Sequence, residues 1–139
     1  FKVFLLDVGL LRAMSRVSPK VILEGSRIFE EFKGALTEQY VCQELQNYSD
    51  VLEANYYWSS SATAEVDFLV SDGWDVYPLE VKAGVTMNAK SLKLYREKYS
   101  PKWALRTSLL PYERNEVSKT INIPLYMLFA LGKELEAES

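Results

Sequence analysis

The chain has 139 residues, of which 48% are hydrophobic and 25% charged, with a net charge of −3. That length and balance fit one domain with its own core and exclude a disordered chain, and the acidic balance excludes a surface that is basic throughout. A single cysteine, Cys42, leaves no intramolecular disulfide and fits a reducing, cytoplasmic compartment; the lack of histidine removes Cys/His zinc sites, the Ser-His-Asp triad and imidazole bases.

Any metal bound here must therefore be held by oxygen, which points to magnesium, manganese or calcium. The N-terminus has no secretory pattern of basic stretch, apolar run and small-residue cleavage site. The longest apolar run, INIPLYMLFAL, is too short for a bilayer and contains Asn122 and Pro124, so no membrane span is expected. The chain opens on Phe1 inside what reads as an element, FKVFLLD, which suggests a piece of a longer protein. One domain is expected over residues 1–139, with 133–139 as a frayed tail.

In chain order, FKVFLLD reads as a short strand, and Asp7 as the cap of a helical turn in GLLRAM. Residues 15–26 read as a loop. Residues 28–48 have the apolar spacing of a long amphipathic helix, with Gly34 inside it as a point of close packing. VLEANYYW, 51–58, is a strand. Next comes EVDFLVSDGWDVYPLEVKAG, two alternating strands around Asp72-Gly73, the signal of a two-residue type I′ turn. A helix from about Asn88 to Tyr99 follows, capped by Asn88 or Thr86 and ended by Pro101. WALRTS and residues 120–123 read as strands, and PLYMLFALGKEL as a last helix. The order helix, three strands, helix, strand predicts an α/β domain with a mixed sheet, antiparallel in the hairpin and parallel at the crossover.

The hairpin carries the chemistry. A two-residue turn sets Asp67 opposite Pro78 and Glu65 opposite Glu80, with Glu65, Asp67, Glu80 and Lys82 on one face. Carboxylates that close repel unless a proton, a cation or water intervenes. Asp67 and Glu80 are within reach of one magnesium ion, and Lys82 of its water or of charge developing on phosphorus. A one-residue bulge would spoil the arrangement. Glu38, within the apolar stripe of the long helix, needs a partner and is a fourth candidate. The same charges also fit a solvated ion-pair cluster of little energetic weight.

From Lys82 to Arg106 the chain carries seven basic residues and one acid, Glu97, so this stretch is +6 and the remainder −9. Lys90, Lys93 and Arg96, with Ser91 among them, fit contact with a phosphate backbone, or simply a solvated helix face. Trp58, Trp74 and Trp103 are expected to pack rather than stack on bases, and Cys42 to be a core residue.

Glu38 on a helix, Asp67 on one strand and Glu80-Val81-Lys82 on the next resemble the PD-(D/E)XK nuclease superfamily, though Val66 stands where that name anticipates proline. More narrowly, KVFLLDVGLL, KGALTEQYVCQEL, AEVDFLV, PLEVKAG and AKSLKLY together resemble the C-terminal domain of bacterial and archaeal AAA-type ATPases. The resemblance spans nearly the whole chain. It implies a restriction-endonuclease-like core and an N-terminal P-loop ATPase module; no GxxxxGK[ST] occurs in this chain. It further implies magnesium or manganese bound by Asp67, Glu80 and Glu38 with the Val81 carbonyl, Lys82 activating water, and a nucleic-acid substrate, DNA or RNA. The rival reading is a non-catalytic module that uses the same fold to dock the ATPase or another protein.

Overall fold

The computed structural model describes residues 2–18, 20, 27–47, 53–61, 64–85 and 90–136. Its elements are α1 (Val8–Met14), α2 (Arg27–Asn47), β1 (Glu53–Ser59), β2 (Glu65–Ser71), β3 (Val76–Val81), α3 (Lys90–Tyr99), β4 (Ala104–Ser108), β5 (Glu113–Asn115), β6 (Thr120–Pro124), a 3-10 helix (Leu125–Ala130) and α4 (Leu131–Glu136). The strands make one six-stranded mixed sheet in the order β1-β2-β3-β4-β6-β5. β1, β2 and β3 form an antiparallel meander. β4 joins β3 in parallel after the α3 crossover, β6 lies parallel to β4, and β5 closes the edge antiparallel to β6.

The α/β class and the order helix, three strands, helix, strand are as expected. β5 was not expected, because its three residues are all exposed or half-exposed and carry no apolar alternation to mark them. The C-terminal segment starts as a 3-10 turn and becomes α-helical only at Leu131. Residues 133–136, expected to fray, belong to α4, where Leu135 is fully buried. The proposed caps Thr86 and Asn88 lie outside the described residues.

The segment FKVFLLD is not a strand over residues 2–7. Its described residues lie across α2 as a strap whose peptide groups are met by side chains. Gln39 accepts from the Leu5 N–H at 2.8 Å and donates to the Leu5 carbonyl at 2.9 Å, and Gln43 accepts from the Val8 N–H at 3.1 Å. Backbone groups satisfied in this way need no strand neighbour. Phe4 stacks on Phe68 with ring centroids 5.6 Å apart, and Asp7 caps α1 by accepting from the Leu10 N–H, as its position predicts.

The core lies between α2 and one face of the sheet. Val41 and Leu45 meet Phe68, Val70, Tyr77, Leu79, Leu105, Ile121 and Ile123, and Leu128, Leu131 and Leu135 close one end. Cys42 packs against this cluster, and burial pushes its thiol pKa up. Among the described residues Gly34 does not mark close packing, since a Cβ built there meets none of them within 4 Å.

The hairpin turn is longer than expected. Ser71 pairs with Val76 and Val70 with Tyr77, leaving a four-residue loop, 72–75, in place of a two-residue turn. Asp72 organises it by accepting from the N–H groups of Trp74 and Asp75 and from the Tyr77 hydroxyl, while Gly73 takes φ +92°. Those backbone bonds to Asp72 outweigh the type I′ preference of the Asp-Gly pair. Trp74, expected to pack, stands 89% exposed at the loop tip. The register therefore moves by two: Leu69, not Asp67, faces Pro78. A shift of two preserves which side chains share a face.

Candidate functional site

A bulge in β2 shapes the site. From Val66 to Leu69 β2 advances three residues, while its partner β1 advances two, from Trp58 to Tyr56. The extra residue falls at Asp67–Phe68, with Val66 and Phe68 both buried on either side of half-buried Asp67. A bulge bends its strand and re-aims side chains. The β2–β3 register runs from Ser71 opposite Val76 as far as Phe68 opposite Leu79. Past that point the Val81 N–H is taken by Asp67 Oδ2 at 2.8 Å, and β3 continues against β4, with the Lys82 N–H on the Thr107 carbonyl at 2.9 Å.

The other oxygen of Asp67 meets a residue the sequence reading did not single out. Lys2 Nζ lies 2.7 Å from Glu65 Oε1, 3.2 Å from Asp67 Oδ1 and 3.3 Å from Glu38 Oε2. The strap on Gln39 and the Phe4–Phe68 stack hold Lys2 there. Burial opposes its charge, but the Glu65 hydrogen bond and the charges of Asp67 and Glu38 prevail and hold its pKa above the ordinary lysine value. Glu38 is pushed the other way for a carboxylate: burial and the Asp67 charge raise its pKa, against the pull of Lys2. A cleft of about 290 Å³ opens beside this cluster, lined by Lys2, Phe4, Glu38, Gln39 and Glu65 among others.

Glu80 and Lys82 form a second group. Lys82 Nζ lies 2.5 Å from Glu80 Oε1. Glu80 is 4% exposed, and its Oε2 is buried without a hydrogen-bond partner. Among the described residues only Thr107 Oγ1 shares that condition. Val81, between the two charged residues, is the one fastened to Asp67.

The structure thus gathers Glu38, Glu65 and Asp67 around Lys2 and pairs Glu80 with Lys82, the two groups touching through Asp67 and the Val81 peptide. It does not collect Asp67, Glu80 and Glu38 around one point: among the described residues no three acidic side chains form a cluster able to hold a metal ion. Asp67 keeps the face that alternation predicts, but its two oxygens are taken by the Lys2 ammonium and the Val81 N–H. Donor chemistry still suits a hard cation at Glu80, whose buried oxygen lacks a partner, whereas the free valence of Glu38 and Asp67 is taken by the ammonium.

The basic helix meets the site at one place. Ser91 Oγ accepts from the Glu65 N–H at 3.3 Å, so the start of α3 borders the acidic cluster. Lys90 and Lys93 are exposed, with Lys93 3.9 Å from Glu97 one turn on, and Arg96 is half-exposed. The last turn of α3 faces elsewhere: Trp58 packs edge-on against Tyr95 and Tyr99, and its Nε1 donates to the Tyr99 hydroxyl. Trp103 is core, as expected, with Arg114 and Lys119 over its ring.

Lys2 escaped the sequence reading because its partners lie 36 to 65 residues away. A faint signal existed, a single cation in an otherwise apolar segment, alongside Gln39 and Gln43 one turn apart on α2.

Residues 33–126 match DUF4143, described as a domain of unknown function. The chain belongs to the DUF4143 family. The matched stretch contains Glu38, Asp67, Glu80 and Lys82, while Lys2 precedes it. No curated protein and no solved structure matches this DUF4143 chain. Among its described residues no helix is long and apolar enough to cross a membrane.

Proposed function

We propose that this DUF4143 domain is a nuclease-like module of the PD-(D/E)XK kind, attached to an AAA-type ATPase and acting on phosphodiester bonds with magnesium or manganese. The observation that carries this reading is the Glu80–Lys82 pair: a buried carboxylate with one oxygen on an ammonium and the other without a partner. Leaving a buried polar atom unsatisfied costs about 1–3 kcal/mol, so the oxygen calls for an ordered water, an ion or a ligand.

Glu80 would hold the cation first, with the Val81 carbonyl beside it; Asp67 and Glu38 would join as further oxygen donors only once Lys2 leaves them. Once bound, the ion supplies Lewis-acid polarisation of the phosphate and a lower pKa for water. The chain's own residues do the rest. Glu80 fixes the Lys82 ammonium, which holds the attacking water and meets the negative charge that grows on the phosphate oxygens. Asp67 fixes the peptide between them. Water gives up a proton to solvent as its oxygen bonds to phosphorus, the bond to the leaving sugar oxygen breaks, and that oxygen takes up a proton from solvent.

A second reading, a non-catalytic module that docks the ATPase or another partner, is favoured by one observation: Lys2 already neutralises Glu38, Glu65 and Asp67. Nicking of labelled DNA and RNA with manganese separates the two. The nuclease reading expects cleavage by the native protein and none by Lys82→Ala or Glu80→Gln. Failure of the native protein on both nucleic acids selects the docking module.

A further inference from the structure

We propose that Arg106 is a phosphate-binding residue of this site, seating a nucleic-acid backbone phosphate beside Glu80 and Lys82, and that Asn122 positions it. The inference rests on the phosphodiester reading above. It also departs from the idea of a basic α3 face as the main contact, because Arg106 lies on β4, inside the sheet.

The sheet register supplies the first observation. Arg106 is the direct partner of Glu80 across the β3–β4 pairing and of Asn122 across β4–β6. Residues opposite each other on neighbouring strands share a face, about 5 Å apart. Glu80, Arg106 and Asn122 therefore form a row, with Lys82 and Ser108 two residues further along their strands.

How Arg106 is held supplies the second. Its Nε donates to Asn122 Oδ1 at 3.0 Å, and the Ser108 hydroxyl donates to the same oxygen at 2.8 Å. Asn122 is 2% exposed, and its amide nitrogen donates to the carbonyls of Leu110 and Pro111 at 3.2 and 2.8 Å. All of its hydrogen-bonding capacity thus goes into one fixed orientation, which is passed to the plane of the guanidinium. Arg106 forms no ion pair among the described residues, although a buried carboxylate is its strand neighbour; Glu80 is paired with Lys82 instead. The guanidinium carries five N–H donors, and Asn122 uses one.

An arginine kept only to neutralise Glu80 would pair with it, and one kept only for packing would not need its Nε held by a buried amide. A half-buried guanidinium oriented through Nε, with its terminal nitrogens free of carboxylates, has the forked geometry that matches two phosphate oxygens. Lys82 on the same face adds a second positive charge.

The test is binding of a short labelled DNA duplex and its single strand, followed by fluorescence anisotropy at low salt without divalent metal, so that cleavage plays no part. Arg106→Gln is expected to weaken binding by about tenfold and to lower the slope of log affinity against log salt by about 1. Arg106→Lys keeps the charge and hence the slope, but loses several-fold in affinity because the fork is gone. Lys133→Gln on α4 should match the native protein. Thermal melts accompany each variant, and Arg106→Lys carries the test if Arg106→Gln does not fold. Native-like affinity and slope in Arg106→Gln overturn the proposal, as does the absence of binding by the native protein to either DNA. If binding depends on Arg106 while no cleavage occurs with manganese, Arg106 stands and the nuclease reading falls.

Discussion

The two oxygens of Asp67 face two regions built from the same residue types. On the Oδ1 side, one ammonium serves three carboxylates, and every charge has a counter-charge within 3.3 Å. On the Oδ2 side, one ammonium serves one carboxylate, and that carboxylate keeps a buried oxygen with no partner. Composition does not distinguish these regions, but satisfaction does. A saturated cluster fastens the strap to the sheet. A cluster left incomplete in a buried position spends stability that scaffolding alone does not require. That difference directs the functional reading to Glu80 and Lys82.

Removing the cation from each region sharpens the comparison. Lys82→Ala takes from the buried Glu80 carboxylate its ion-pair partner, and a loss of about 2–4 kcal/mol is expected in urea unfolding. Adding Glu80→Gln to that variant should recover part of the loss, because the uncompensated charge is gone. Lys2→Met takes the ammonium from Glu38, Glu65 and Asp67, which are more exposed. Its cost should be smaller, about 2 kcal/mol. If Lys2→Met proved the more damaging of the two, the greater burial of Glu80 would not set the cost of losing its cation.

Gly34→Ala lies outside both regions and calibrates the melts. The position is helical and a Cβ there meets nothing within 4 Å, so a gain of about 0.5–1 kcal/mol is expected. A loss would mean that α2 packs more tightly at this point than the structure has it.

The pH dependence of the Lys2 cluster has two limbs. The Lys2 pKa is raised above 10.5, so its contribution is complete below that value and disappears as pH climbs through the raised one. The Glu38 pKa is raised above 4.5, so the folded state binds the proton more tightly than the unfolded chain, and stability falls as pH rises from 4.5 through the raised value. Denaturant midpoints taken across that acid window should slope downwards in the native protein and flatten in Glu38→Gln. An unchanged slope in the variant would place the titration elsewhere.

The fold was largely legible because its signals are local. Alternation marked β2 and β3, helical spacing marked α2, and Asp7 marked the start of α1. The site was legible in its residues but not in its grouping. Asp72-Gly73 suggests a two-residue turn, yet the Asp72 carboxylate draws Trp74 and Asp75 into a wider loop. The bulge at Asp67–Phe68 depends on pairing with β1, which no local pattern announces. Lys2 reaches its partners only because Gln39 and Gln43 hold the strap, a contact over more than thirty residues of sequence. The mutual repulsion that plain alternation predicts for the acids is therefore relieved at Glu38, Glu65 and Asp67 by the protein itself. At Glu80, buried beside Lys82, one oxygen is left without a hydrogen-bond partner among the described residues.

Calorimetric titration with manganese tests that contrast most directly. The native protein should bind the ion, Glu80→Gln should lose binding, and Lys2→Met should bind more tightly because it frees Asp67 and Glu38 to share the cation. Binding by Glu80→Gln equal to that of the native protein, or no binding by either the native protein or Lys2→Met, would contradict the account.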